Sequence, residues 1–285
     1  KITLDGSPQG KTAWLTQPYL KVPEGRKPDY RGEGQFTDDQ VQGYVDMAFK
    51  NGWQLLAHAN GDAAIDQYIK AVGVAEKQYG MADRRPTLIH GQTTREDQIQ
   101  SLKELGIIPS LFPMHTFYWG DWHRDSVLGP ERANNISPTG WAMERGMRFS
   151  SHHDAPVAFP DSMRVLDATV TRRSRSGDII GPEHRVDVMT ALKAMTIWPA
   201  WQNFEEDTKG SIEVGKLADL VILSGDPTAI DPETLDSLTV AETIKEGTTI
   251  YRAGQKEGRL DYRPLQDGTD PFANFLMKAS HQHGE

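Results

Sequence analysis

Short apolar runs alternate along this chain with longer stretches whose apolar residues recur at helical spacing, which predicts strands and helices in turn. The first strand expected is 2–5, closed by the turn-forming Asp5-Gly6-Ser7-Pro8. A long connection rich in Pro, Gly and charge follows, including Pro18, Pro23, Pro28, Gly32 and Gly34, and a stretch of that kind is expected to be a functional loop or lid. Thr37-Asp38-Asp39-Gln40 has the form of a capping box, and Val41, Tyr44, Val45, Ala48 and Phe49 line one helical face until Asn51-Gly52. Residues 53–58 read as a buried strand ending on His58, and Asp62 then leads a helix to Tyr79. The pattern repeats. Residues 86–90 form a strand ending on His90, and Thr93-Thr94-Arg95-Glu96 caps a helix that Gly106 ends. A fourth strand is expected at 107–112 and an aromatic loop at 115–123. Helix is expected at 137–146, a fifth strand at 147–154, and helices near 162–173 and 187–196.

Strand-then-helix units of about 30 residues imply parallel strands joined by right-handed crossovers, hence an α/β fold. Five such strands suit an open doubly wound sheet, and equally the last five units of an eight-stranded barrel. The residues at the strand ends separate these. In a (β/α)8 barrel the reactive side chains gather at the C-terminal ends of the strands. Here those ends carry Lys1 or Asp5, then His58, His90, the aromatic segment, and Asp154. No Gly-rich phosphate-binding turn follows any strand, which counts against a nucleotide-binding sheet.

Neutral imidazole and carboxylate are the usual non-thiolate ligands of Zn²⁺, and catalytic sites leave one position open for water. His58, His90 and Asp154, each at a strand end, are candidate metal ligands, and Asp154 is also the candidate proton carrier between that water and a leaving group. Composition narrows the field further. The 285 residues hold no cysteine, which excludes disulfides, thiolate metal sites and a cysteine nucleophile. A net charge of −9 argues against a nucleic-acid partner, and no run approaches the roughly 18 apolar residues of a membrane span. Lys1 begins as though inside a strand, without an initiator Met or a targeting pattern, so an upstream segment is expected and the cellular compartment stays open.

After Phe204 the texture changes to a β-rich module: Lys209 to Leu223, then short strands at 240–244 and 248–252. These strands are too few to bury a core alone. The expected organisation is a barrel portion at 1–205, a module at 206–263 and a polar tail at 264–285, whose His281 and His283 read as a solvated terminus.

Several of these stretches carry a resemblance. Lys1-Ile2-Thr3-Leu4-Asp5-Gly6-Ser7, Leu56-Ala57-His58-Ala59-Asn60-Gly61-Asp62, Leu88-Ile89-His90-Gly91-Gln92, Asp154-Ala155-Pro156-Val157 and Gly210 to Leu223 resemble, in order, the amidohydrolase superfamily, within it the YtcJ-like group that includes N-substituted formamide deformylases. The resemblance implies a TIM-like (β/α)8 barrel whose strands 4 to 8 are present here, with part of a small β-sandwich. It implies that Lys1 is the strand-4 lysine, often carboxylated to bridge two metals, that His58 and His90 end strands 5 and 6, and that Asp154 ends strand 8. It further implies one or two divalent metals, zinc foremost, and a second chain or upstream segment to supply the family's His-x-His pair and complete the barrel, with a homo-oligomer allowed.

The activity expected is hydrolysis of a non-peptide carbon–nitrogen bond of an amide or formamide. Ester, lactone or cyclic-amide hydrolysis, and a non-catalytic binding role, are the alternatives. His115, Tyr118, Trp119 and Trp122 are the candidate substrate wall. His153 is expected to point away from Asp154 by strand alternation, and Arg172, Arg173 and Arg175 to form a solvated helix end.

Overall fold

The computed structural model describes residues 1–254. Strands β1 (Ile2–Thr3), β2 (Leu56–Ala59), β3 (Thr87–His90), β4 (Ile108–Leu111) and β5 (Ser150–Ser151) form one parallel sheet whose spatial order is the order of the sequence. Doubly wound sheets reverse strand order at a switch point. This sheet has no reversal, so every crossover advances by one position and the doubly wound alternative does not describe it.

Helices α1 (Asp38–Lys50), α2 (Asp62–Tyr79) and α3 (Glu96–Glu104) fill the first crossovers, and α4 (Met114–Trp122), α5 (Pro130–Asn134) and α6 (Thr139–Glu144) lie between β4 and β5. The Thr37 capping box forms as expected, its hydroxyl taking the Gln40 N–H while the Gln40 side chain takes the Thr37 N–H. After β5 come α7 (Ser162–Thr171), α8 (Val188–Met195) and α9 (Ile197–Gln202), then an antiparallel sheet of β6 (Leu220–Leu223), β7 (Val240–Lys245) and β8 (Thr248–Arg252). Leu235 and Leu238, between β6 and β7, pack with Met163, Leu166 and Val170 of α7, which seats this module on the larger unit. The expected tail at 264–285, with His281 and His283, lies outside the described residues. Among the described residues no helix is long and apolar enough to cross a membrane.

Strand register assigns the two faces of the parallel sheet. Ala57, Leu88 and Pro109 lie side by side, as do His58, Ile89 and Ser110. Ala57 and Leu88 belong to the main core with Val45, Phe49, Ile65, Tyr68, Val72, Ile99, Leu102 and Phe149, so that face meets the helices. His58 and its neighbours face the other way. Burying a Leu- or Phe-sized side chain contributes about 1.5–3 kcal/mol, so this helix-covered face holds most of the stabilisation.

Three expectations are corrected. The aromatic segment is a helix, α4, running into a π-helical turn at His123–Val127, and not a loop. Its apolar residues surround the helix axis because it is enclosed by other elements, which erases the one-sided pattern of a surface helix. Gly120 makes that enclosure feasible: a Cβ there would sit 2.8 Å from Ile180 Cγ1. The 137–146 helix is shorter, α6 alone, and α9 follows α8 almost directly. Arg172 is not solvated: it is fully buried with φ +53°, and its guanidinium donates to the carbonyls of Ile180, Ser137 and Ile136. The long segment before α1 is tied down at several points, through Trp14 N–H to Asp5, Thr16 N–H to Asp62 and Leu15 N–H to the Arg31 carbonyl.

Two buried histidines set a pH dependence. Burial lowers the His123 pKa to about 3, and burial together with the Arg172 charge lowers that of His184 to about 3. Unfolded, each titrates near 6.5. Between those values the unfolded chain binds the extra proton, so stability is complete above pH ~6.5 and falls as pH falls. The expected slope is about 1.4 kcal/mol per pH unit for each ring. Denaturant unfolding measured from about pH 7.5 to about pH 4.5 should show this decline, and His184→Gln should make it shallower by one ring's share. An unchanged slope in that variant would remove His184 from the explanation.

Candidate functional site

His58 and His90 meet at the C-terminal ends of β2 and β3, their rings edge to face with centroids 4.6 Å apart. Simple alternation would not bring them together. Register pairs His90 with Ala59 and Leu111, on the helix side of the sheet. His90 escapes that face because its backbone is left-handed, φ +73°, which swings the ring off the strand's alternation. Asp154 shares the device, with φ +52°, and its Oδ2 lies 3.8 Å from His90 Nε2. Non-glycine residues in this region carry strain that structures tolerate chiefly at functional positions.

Asp5, two residues past β1, supports His58. Its carboxylate is fully buried and accepts the N–H groups of Trp14 (3.0 Å), Asn60 (2.9 Å) and Gly61 (2.7 Å), while its Oδ1 lies 3.5 Å from His58 Nδ1. A carboxylate held by three amides and set beside an imidazole is an arrangement that orients histidine ligands. Reading Asp5 as a turn former did not reveal this role. His152 was also missed. Its ring is 5.0 Å from that of His90 and 4.9 Å from Phe112. The signal existed, since a period of two places His152 on the same side of the strand as Asp154. His153 instead accepts the Ala155 N–H at its Nδ1.

The electrostatics keep the His90 and His152 rings neutral. Burial, then the His152, His58 and Lys1 charges, lowers the His90 pKa to about 2. Burial lowers that of His152 to about 4, with His153, Lys1 and His58 acting in the same direction. Burial raises the Asp154 pKa, opposed by the Lys1 charge. Lys1 is exposed at the edge of the sheet, and the register of β1 places it on the His58 face.

The chemistry of these donors suits a divalent cation: imidazoles, a carboxylate, and buried ring nitrogens at His90 Nδ1 and His152 Nε2 that lack partners. The set is partial, however. Among the described residues no three His, Asp or Glu side chains form a group able to hold an ion by themselves. The residues come together as pairs, His58 with His90 and His90 with Asp154.

Helix α4 carries the aromatic residues. It starts just past β4, and at its far end Trp122 Nε1–H donates to the Gln9 carbonyl in the segment after β1, with Lys11 Nζ 4.8 Å over the Trp122 ring. His115 and Trp119 pack beneath it on Phe112, at 4.6 Å and 6.3 Å between centroids. Tyr118 turns elsewhere, under Arg175 and beside Phe117. Of the expected substrate wall, His115 and Trp119 lie toward the histidines, while Tyr118 and Trp122 hold the two sides of the helix.

Comparison with known proteins follows from this geometry. The profile described as Amidohydrolase family matches residues 1–251. The Bacillus subtilis protein YtcJ is 29% identical over 256 residues, covering 88% of this chain and 46% of its own length. The N-substituted formamide deformylase of Arthrobacter pascens is 28% identical over 225 residues, covering 77% of this chain and 40% of its own length. A crystal structure of an uncharacterized metal-dependent hydrolase from Pyrococcus furiosus superimposes with TM-score 0.65 at 26% identity, covering 80% of this chain and 44% of that one. The chain thus spans less than half the length of each of these relatives.

Proposed function

The chain belongs to the Amidohydrolase family, and on that premise we propose that the complete protein hydrolyses an amide-type carbon–nitrogen bond of a small molecule at the ends of β2, β3 and β5. The observation that carries this is the pairing of His58 with His90 and of His90 with Asp154, the last two in left-handed backbone. His58, His90 and Asp154 would hold a divalent metal, zinc by the character of the donors. Lys1 would join them as a carbamate, since an ammonium repels a cation whereas a carbamate offers two oxygens. The remaining ligands, a second ion's among them, and the strands that close a barrel around this sheet would come from residues upstream or from another chain.

A bound divalent ion supplies Lewis acidity and brings the pKa of its water toward about 7. The residues of this chain do the rest. Asp154, whose carboxyl is biased toward protonation by burial, takes the water's proton and delivers it to the departing nitrogen. Asp5 holds the His58 ring in place. His115 donates to the substrate's carbonyl oxygen, and Trp119 with Phe112 accepts an apolar substituent on nitrogen. A deformylase of N-substituted formamides among the relatives supports that substrate class for this chain as well.

The test is hydrolysis of N-(2-phenylethyl)formamide by the complete protein before and after chelation. Turnover should fall by more than about 100-fold on metal removal and return with zinc. Full turnover by metal-free protein would overturn the reading. Cleavage of the matching ester alone would overturn the bond assignment.

A further inference from the structure

His115 and His123 lie eight residues apart and face each other across the junction of α4 and the π-helical turn. Their rings stack at 5.2 Å with a 22° interplanar angle, and His115 Nδ1 is 2.9 Å from His123 Nε2. Both are buried, at 2% and 0% exposure, in a chain where nothing in the proposed reaction yet uses His123. A regular helix would not by itself set residues eight apart at this separation, and π-helical turns recur at functional sites.

Which nitrogen holds the shared proton decides what His115 offers. His123 Nδ1 is buried and has no hydrogen-bond partner. If His123 carried its proton there, a buried N–H would be left unpaired, the rarer and costlier of the two kinds of orphan. Placing the proton on His123 Nε2 leaves only a lone pair unpaired. His123 then donates to His115 Nδ1, and neutral His115 must carry its own proton on Nε2. Unlike His123 Nδ1, that nitrogen is not among the buried, partnerless ring nitrogens of the described residues, so an N–H there is not sealed away from water or a ligand. His115 packs on Phe112, whose ring also meets His152, which in turn meets His90.

We propose that His123 is a positioning residue: it fixes His115 in the Nε2–H tautomer, so that His115 meets a carbonyl oxygen as a donor and never as an acceptor. The inference deepens the proposed hydrolase reading and rests on it for its kinetic consequence, but the tautomer itself does not. The preorganised N–H is most useful where negative charge grows on the oxygen as water adds. Burial holds both rings neutral, so the arrangement persists through the neutral pH range.

Two measurements test this on the complete protein. In the first, long-range ¹H–¹⁵N correlation on histidine-labelled protein should find His115 protonated at Nε2 and bare at Nδ1. Protonation at Nδ1 overturns the proposal, whether or not the protein is a hydrolase. In the second, with N-(2-phenylethyl)formamide as substrate, His123→Phe should lower kcat by about 10–100-fold with little change in KM. His123→Gln, whose amide N–H can replace the Nε2 donor, should recover most of that loss. The double variant His115→Ala/His123→Phe should be no slower than His115→Ala alone, because His123 acts only through His115. Losses that multiply in the double variant would make His123 an independent structural residue and overturn the proposal. Absence of turnover in the wild type, with the Nε2 tautomer present, would count against the hydrolase reading instead.

Discussion

His90→Ala in the complete protein is expected to lose both bound metal and turnover, with kcat/KM down by more than about 1,000-fold. The ring is buried at 4% exposure between His58, His152 and Phe112, so no other side chain can take its place in the proposed site. The effect should be chemical and not a collapse of the fold. His90 adds one ring to a cluster outside the main apolar core, and its removal should lower stability by about 1–3 kcal/mol. Metal analysis, steady-state kinetics and thermal unfolding on the same preparation separate the outcomes. Turnover retained without metal would remove His90 from the site, and unfolding would make it a packing residue.

The largest effect on stability is expected from Arg172→Leu. The guanidinium is fully buried, donates to Ile180, Ser137 and Ile136 at 2.6, 3.0 and 2.7 Å, and among the described residues pairs with no carboxylate. Burial lowers its pKa to about 9, still above neutrality, so a cation is held there by carbonyl dipoles. Leucine fills much of the volume but leaves the Ile180 and Ile136 carbonyls without a donor in a dry interior, at roughly 1–3 kcal/mol each, while the Ser137 carbonyl keeps the Thr139 N–H. A total loss of about 3–5 kcal/mol follows, allowing for partial relaxation. Arg172→Lys should recover little, because one ammonium cannot serve three carbonyls in the fork's geometry. Thermal unfolding of the three proteins checks this. A shift below about 1 kcal/mol would mean that water reaches those carbonyls. The site would feel the loss too: Ser137, whose carbonyl Arg172 binds, donates its N–H to the Gln92 carbonyl, two residues beyond His90.

The strands were legible because each apolar run is short, bounded and followed by a helical period, and because the runs at 53–58 and 86–90 both end on histidine. Their exact limits were not, since pairing begins only where a neighbour's backbone is in reach: the 147–154 run pairs only at Ser150–Ser151. His58, His90 and Asp154 could be singled out from position alone, yet alternation places His90 on the helix side and says nothing of the backbone twist that brings it back. The candidate wall residues were chosen by residue type, but the enclosure that makes α4 a helix comes from contacts with distant segments, such as Ile180 against Gly120. Arg172 failed for the same reason. A basic run reads as solvated until the carbonyls that surround one member of it are known.

The left-handed backbone at His90 and Asp154 has a further consequence for how such a chain can change. Each residue bears roughly 1 kcal/mol or more of conformational strain that glycine in the same place would not. Glycine at either position would therefore relieve the backbone while deleting the side chain on which the proposed chemistry depends. Drift toward a sturdier molecule and drift toward an inert one coincide at these two positions, so a lineage released from the need for turnover would lose them first.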